Sequence, residues 1–293
     1  MKPRARRVAL LGHSGRPAVR RAANRLAAKL RRRGLDVRMD DHLGPHCQEE
    51  GFPVARLARW CQFMVSLGGD GTALRAARSL AGTRAVLLPV NLGGLGFLTA
   101  VELGGIDRAV DAVLAGRWDA PARRFVEAVR YRTGAPAWRG RAFNDAVIKT
   151  AGGYGALHLT LEALGGDLGH MVGDGLIAAT PAGSTAYSLS AGGPVMTPDV
   201  EAMVVTPVCP HTLASRSLVL PAGETLKLKV LGSFDPMLLL LDGQEDTELR
   251  PGDRVELTLS KVTTRIAADP ARHFGATLHR KLGWQGSPTR SMR

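Results

Sequence analysis

Phe63-Met64-Val65-Ser66-Leu67-Gly68-Gly69-Asp70-Gly71-Thr72 decides how this chain is read, because an apolar strand pattern runs there into three glycines, one carboxylate and one hydroxyl. Glycine admits positive φ and close approach, so the N–H groups of Gly68, Gly69 and Gly71 can converge on a phosphate. The helical pattern from Thr72 to Leu80 would turn its positive N-terminal end toward the same anion. Asp70 is the one group in the loop able to accept a proton. A phosphate cradle that contains a base points to phosphoryl transfer. The loop is not a Walker A sequence, since no Gly-Lys-Ser/Thr follows, and its glycines are not spaced as in the dinucleotide fingerprint.

Outward from this loop, strand and helix patterns alternate. Val8–Leu11 reads as a short strand, and Val19, Ala22, Ala23, Leu26 and Leu30 recur at helical spacing between Pro17 and Arg33. Pro17 suits the first turn and Gly34 the stop. Leu35–Met39, Phe63–Ser66 and Ala85–Val90 are further strands, and a helix from about Ile106 to Ala115 ends at Gly116. Such alternation implies a mainly parallel sheet with helices on its faces.

Near Asp119-Ala120-Pro121 the character changes. Leu157, Leu159 and Leu161 alternate with His158, Thr160 and Glu162; Leu226, Leu228 and Val230 alternate with Thr225, Lys227 and Lys229. Val255, Leu257 and Leu259 repeat the pattern after the apolar run Met237–Leu241. Many short strands with Gly/Pro turns predict a β-sandwich or similar all-β domain. Phe274, Leu278 and Leu282 predict a closing helix that packs back on the first domain, and 286–293 reads as a loose tail. The expected domains are 1–118 with about 272–293, and 119–271.

At 293 residues, 45% hydrophobic and 22% charged, the chain has room for about two globular cores. No apolar run reaches the roughly 18 residues of a membrane span, and the N-terminus lacks a signal-peptide pattern. Cys47, Cys61 and Cys209 are odd in number and far apart, which argues for a reducing compartment. Neither His46-Cys47 nor Cys209/His211 has a second pair at zinc-finger spacing. The formal charge of +13 raises nucleic-acid binding, but the basic residues are scattered and aromatics make up only 5%. That pattern argues against a nucleic-acid interface.

Three further stretches carry chemistry. Asn91-Leu92-Gly93-Gly94-Leu95-Gly96-Phe97-Leu98 is a second glycine loop at a strand's carboxyl end, where open α/β sheets bind ligands. Phe143-Asn144-Asp145 places an amide beside a carboxylate, able to grip vicinal hydroxyls, although the dipeptide is also a common turn. The stretch from Gly173 to Pro194 is dense in small residues and hydroxyls around a single aromatic, Tyr187. Small residues permit close approach, hydroxyls bond phosphates or sugars, and a tyrosine ring can cover an adenine.

In this order, these motifs resemble the NAD kinases. Thr206–His211, Asp242-Gly243-Gln244 and Lys281-Leu282-Gly283-Trp284 look like the same family, so the resemblance runs from about Val8 to Trp284. The Asp174–Pro194 stretch is specific, whereas Gly-Gly-Asp-Gly is shared with phosphofructokinases and lipid kinases. The resemblance implies a Rossmann-like α/β domain, a β-sandwich-like domain and a final helix returning to the first. It implies transfer of the γ-phosphoryl of ATP, with polyphosphate an alternative donor, to the adenosine 2′-hydroxyl of NAD.

By the same resemblance Asp70 is the proton acceptor, with Gly71 and the rest of the Gly68–Thr72 loop at the nucleotide. Arg75 faces phosphates from the first helical turn, and Asn91 and Phe97 belong to the binding loops. Asn144 and Asp145 bind the acceptor, and Asp174 fixes its far end. Thr185, Ala186, Tyr187, Ser188, Leu189 and Ser190 line the adenosine site, and Gln244 closes the pocket. The family implies Mg²⁺ or a similar divalent ion, no dedicated metal-ligand residues, a cytoplasmic location and a homodimer or homotetramer. Ala182, Gly94, Gly155 and Val172 depart from the family pattern, where threonine or basic groups are usual. Two other readings share parts of the sequence: a diacylglycerol- or sphingosine-type lipid kinase, and a nucleotide-binding regulator without turnover.

Overall fold

The computed structural model describes residues 6–12, 16–93, 96–99, 101–152, 155–212, 215–271 and 273–283. Gly94 and Leu95 of the second glycine loop, Trp284 and the 286–293 tail lie outside the described residues. The chain divides into two units, Met1–Ala122 with Thr264–Arg293, and Arg123–Thr263.

The first unit is built on strands that are buried on both faces, as a parallel sheet between helices requires. They are β1 (Arg7–Gly12), β2 (Asp36–Asp40), β3 (Gly51–Phe52), β4 (Phe63–Gly68), β5 (Val86–Asn91) and β6 (Val101–Glu102). The order is β3-β2-β1-β4-β5, all parallel, with β6 beside β5. Helices α1 (Pro17–Arg32), α2 (Val54–Trp60), α3 (Asp70–Ser79) and α4 (Ile106–Leu114) connect them. α1 follows its sequence pattern: Val19, Ala22, Ala23, Leu26 and Leu30 are buried, and Gly34 stops it at φ +78°. The chain leaves β1 toward β2 and returns on the other side at β4, so a crevice opens outside the carboxyl ends of these strands. The Gly68–Thr72 loop lies at that switch point.

The second unit contains β7 (Ala122–Arg132), β8 (Ala135–Ala142), β9 (Asp145–Thr150), β10 (Leu157–Ala163), β11 (Gly166–Gly173), β12 (Gly175–Ala179), the short helix α5 (Tyr187–Ser190), β13 (Ala202–Val208), β14 (Leu218–Pro221), β15 (Thr225–Gly232), β16 (Met237–Leu241), β17 (Glu245–Leu249) and β18 (Arg254–Ile266). One layer runs β11-β10-β15-β18, with β7 beside β18 and β8 beside β7; the other runs β14-β13-β12-β9-β16-β17. Leu157, Leu159, Leu226, Leu228, Val255 and Leu257 of one layer meet Ile148, Leu176, Met203, Val205, Leu239 and Leu241 of the other. Met237–Leu241 is apolar throughout because Leu240 packs on the outer face against Val147, Ile177 and Val204. β18 then continues into the first unit, where Arg265 and Ile266 pair in parallel with Val86 and Leu87 of β5. Helix α6 (Phe274–Leu282) follows there, with Leu278 buried, as its spacing predicts.

The sequence pattern skips some elements. β3 spans two residues and α2 seven, too short to show a period. In the β7–β8 hairpin, Arg123, Arg124, Arg130, Arg132, Arg139 and Arg141 obscure the alternation.

Asp40, at the end of β2, is fully buried. Its Oδ1 accepts the N–H groups of Gly12 (3.3 Å) and Leu43 (3.2 Å), and its Oδ2 accepts Nη2 of Arg75 at 2.6 Å. Burial pushes its carboxyl pKa up, and the Arg75 charge partly offsets that. Asp40→Ala is expected to cost about 3 kcal/mol, the low end for breaking a buried pair, because the Arg75 head can still reach water. Urea unfolding measures it; a loss under roughly 1 kcal/mol would mean that the network carries no stability.

Candidate active site

The first unit presents one carboxylate at the switch point. Asp70 is the first residue of α3, two residues earlier than the Thr72 start expected from the sequence, with Gly69 as N-cap. A negative charge there is favoured by the helix dipole. Oδ2 accepts the Phe97 N–H at 3.0 Å, while Oδ1 is buried with no hydrogen-bond partner among the described residues. An orphan buried oxygen costs about 1–3 kcal/mol, so it marks a place where the fold is kept ready for another group.

The glycines serve close approach rather than unusual torsions. None of Gly68, Gly69 and Gly71 has positive φ, which corrects the expectation drawn from their number. A Cβ on Gly68 would overlap the Thr72 side chain, and one on Gly96 would overlap the Asp70 carboxylate. In front of Gly69 and Gly71 the space is open.

Three residues expected at the nucleotide make contacts within the protein. Asn91 is buried; its Nδ2 donates to Thr99 Oγ1 (3.1 Å) and its Oδ1 accepts the Gly93 N–H (2.8 Å), so it fastens the second loop. Phe97 contributes its N–H to Asp70, and its ring lies 6.4 Å from that of Phe274 on α6. Arg75 stands in the second turn of α3, not the first, and is held by Asp40.

In the second unit the Phe143-Asn144-Asp145 segment leads into β9. Asp242 gathers it: Oδ2 accepts the Phe143 N–H (2.8 Å), and Oδ1 accepts those of Asn144 (2.7 Å) and Asp145 (3.2 Å). On the other side Thr180 Oγ1 donates to the Phe143 carbonyl (2.7 Å) and Thr180 N–H to that of Asn144 (2.9 Å). A Cβ on Gly183 would overlap the Asn144 carbonyl. Asn144 Oδ1 is buried without a hydrogen-bond partner. Asp145 is 6% exposed; burial first, and the Asp242 charge second, push its carboxyl pKa up to about 7.

Two pockets adjoin here. One of about 350 Å³ is lined by Asn144, Asp145, Lys149, Ala186, Tyr187, Asp242 and Gly243 among others. The other, about 320 Å³, includes Lys149, Gly155, Asp174, Tyr187 and His211. Tyr187, 44% exposed, belongs to both.

Of the Thr185–Ser190 run, only Ala186 and Tyr187 line these pockets. The hydroxyls serve the loop: Thr185 Oγ1 donates to the Ala182 carbonyl (3.1 Å), and buried Ser188 Oγ bonds Thr206 Oγ1 (2.9 Å). Leu189 is half-buried and Ser190 exposed. Asp174 lines the smaller pocket and bonds the Cys209 thiol, which pushes that thiol's pKa up. Gln244 ends the exposed turn beside Gly243 and lines neither pocket. Gly155 gives its N–H to Asp235 Oδ2 (2.7 Å), and a Cβ there would press on the backbone of Phe234 and Asp235. Lys149 and Asp242 are site residues for which the sequence suggested no role. An Asp-Gly between apolar runs does signal a tight hairpin, but its long-range N–H partners have no local sign.

Residues 8–118 match the family model for the ATP-NAD kinase N-terminal domain, and residues 143–268 that for the ATP-NAD kinase C-terminal domain. NAD kinase 2 of Streptomyces coelicolor is 36% identical, over 97% of this chain and 98% of its own. The NAD kinase of Desulforamulus reducens is 37% identical, over 82% and 83%. Among solved structures, yeast NADH kinase complexed with NADH superposes with a TM-score of 0.88 at 24% identity, over 97% of this chain and 89% of that one. An NAD kinase from Archaeoglobus fulgidus in complex with ATP gives 0.76 at 21%, over 96% and 100%. These two likenesses concern the fold.

Gly96→Ala should push the Asp70 carboxylate aside and lower turnover by about 10²-fold, the scale of a small misplacement. The melting temperature should change little; unaltered kinetics would show that the carboxylate position is not critical. For Asp145 the folded pKa lies above the unfolded one, so the native state holds a proton that the unfolded chain has lost. Stability should therefore fall as pH rises from about 4 to about 7 and then level off. Unfolding titrations of wild type and Asp145→Asn test this, since the variant should lack that slope.

Proposed function

The chain belongs to the NAD kinase family, and from that premise we propose how its own residues carry the phosphorylation of NAD to NADP. The observation that carries the reading is the Asp70 carboxylate, with one oxygen fixed by the Phe97 N–H and the other buried without a partner. A ribose hydroxyl attacks poorly until its proton is accepted. Asp70 Oδ1 takes the proton of the adenosine 2′-hydroxyl while that oxygen bonds to the γ-phosphorus of ATP. The bond from phosphorus to the bridging oxygen breaks, and ADP leaves with the electron pair. The Gly69–Gly71 backbone and the α3 N-terminus stabilise charge on the phosphates.

A divalent cation fits this loop as a passenger of the triphosphate. Mg²⁺ commonly takes substrate phosphates and one or two carboxylates rather than a protein cage. The open space before Gly69 and Gly71 suits a triphosphate that brings the ion with it. The phosphate oxygens and water would hold the ion, leaving Asp70 Oδ1 to the acceptor hydroxyl. When bound, the ion neutralises charge on the transferring phosphoryl.

In the second unit Asn144, Asp145, Ala186 and Tyr187 hold the dinucleotide, with Tyr187 covering a base, and Asp174 marks the far pocket. The donor is ATP, the nucleotide bound in the Archaeoglobus structure; polyphosphate is the alternative inherited from the resemblance. A cytoplasmic location agrees with the free thiols Cys47, Cys61 and Cys209. Among the described residues no helix is long and apolar enough to cross a membrane. The resemblance supports a homodimer or homotetramer.

Asp70→Asn should keep the wild-type circular dichroism and melting temperature yet lose roughly 10²–10⁴-fold in kcat for NADP formation. Near-wild-type turnover would remove Asp70 from the proton transfer. The same assay, run with ATP or polyphosphate and with or without Mg²⁺, decides the donor and the ion.

A further inference from the structure

The turn from Leu241 to Gln244 joins β16 to β17 with both central residues at positive φ, Asp242 at +54° and Gly243 at +62°. Positive φ at a non-glycine residue is uncommon, and here it directs a carboxylate at the start of another strand. Three consecutive N–H groups, from Phe143, Asn144 and Asp145, bind that one carboxylate at 2.7–3.2 Å. The Asp242 N–H returns to the Asp145 carbonyl at 2.9 Å, closing the clamp. The clamped segment presents two polar groups into the 350 Å³ pocket. Asn144 Oδ1 has no hydrogen-bond partner, and the Asp145 carboxyl, 6% exposed, receives no hydrogen bond from the described residues.

We propose that Asp242 is a positioning residue for the dinucleotide, acting through the Phe143–Asp145 backbone to aim the Asn144 amide and the Asp145 carboxyl. The proposal rests on the assignment of Asn144 and Asp145 to NAD made above. Burial, reinforced by the Asp242 charge, pushes the Asp145 pKa up to about 7. Lys149 and Tyr187 are the other ionisable side chains of this pocket; Asp174 and His211 line the neighbouring one. A neutral Asp145 can donate to a hydroxyl. An ionised one can only accept, and sets a second negative charge beside Asp242 where an anionic dinucleotide must enter.

Asp242→Asn retains the shape and one acceptor oxygen but removes the charge and the second acceptor. The variant should raise KM for NAD about tenfold with kcat at saturating NAD changed by less than about threefold. Amide exchange at Phe143–Asp145 should quicken, and the pH above which KM for NAD climbs should fall below that of wild type. A folded variant with an unmoved KM and pH profile, or one that only melts earlier, overturns the proposal. Should the variant not fold, the wild-type enzyme decides. Its KM for NAD must climb as pH passes upward through about 7 while KM for ATP does not, and a flat profile for NAD is a refutation. Such a failure would leave the NAD contacts of this segment intact, whereas failure of the underlying assignment would show as an unchanged KM for NAD in Asn144→Ala.

Discussion

A single hydrogen bond, from the Phe97 N–H to Asp70 Oδ2, holds the carboxylate at the switch point of the first unit in place. It works only because position 96 is glycine, whose Cα can lie against that carboxylate. A side chain there would compete with the carboxylate for the same volume. The donor loop and the acceptor helix come from the ends of adjacent parallel strands, β5 and β4, whose register aligns Gly68 with Asn91. The sheet therefore delivers both halves of the contact, and the loop adds the last few atoms.

The same physical device recurs in both units. Asp40 takes the N–H groups of Gly12 and Leu43, and Asp242 takes three from a single segment. Carboxylates bound by backbone N–H groups tie neighbouring segments together in fixed geometry, because charge-assisted bonds are short and directional. Their aspartates differ in what remains open. Asp40 has Arg75 on its other oxygen and is closed, whereas Asp70 Oδ1 is without a hydrogen-bond partner among the described residues.

How far the sequence reveals all this depends on the range of the interaction. Periodicity exposed α1, α3, α4 and α6 and the alternating strands β10, β15 and β18, since burial of one face leaves a local trace. The place of Asp70 at the strand-to-helix turn was legible because an apolar run ends there in glycines and a helical pattern follows. The roles of Ser188, Thr185 and Asn91 were not, since a hydroxyl or amide looks alike whether it meets a ligand or its own loop. The ion pair of Arg75 was hidden for a similar reason: its partner, Asp40, lies 35 residues away. The Asp242 clamp spans 97 to 99 residues, and no local pattern encodes it.

β18 carries a consequence for biosynthesis. The first unit receives Arg265 and Ile266 beside β5, and then α6, only after the whole β-rich unit has been made. As the chain leaves the ribosome, Val86 and Leu87 stay without that neighbour for the time needed to translate some 180 residues, about 10–35 s at bacterial or slower speeds. The inserted unit is continuous in sequence, so all its strands are made before β5 gains that neighbour. Until then the nascent first unit keeps an open backbone edge at Val86 and Leu87.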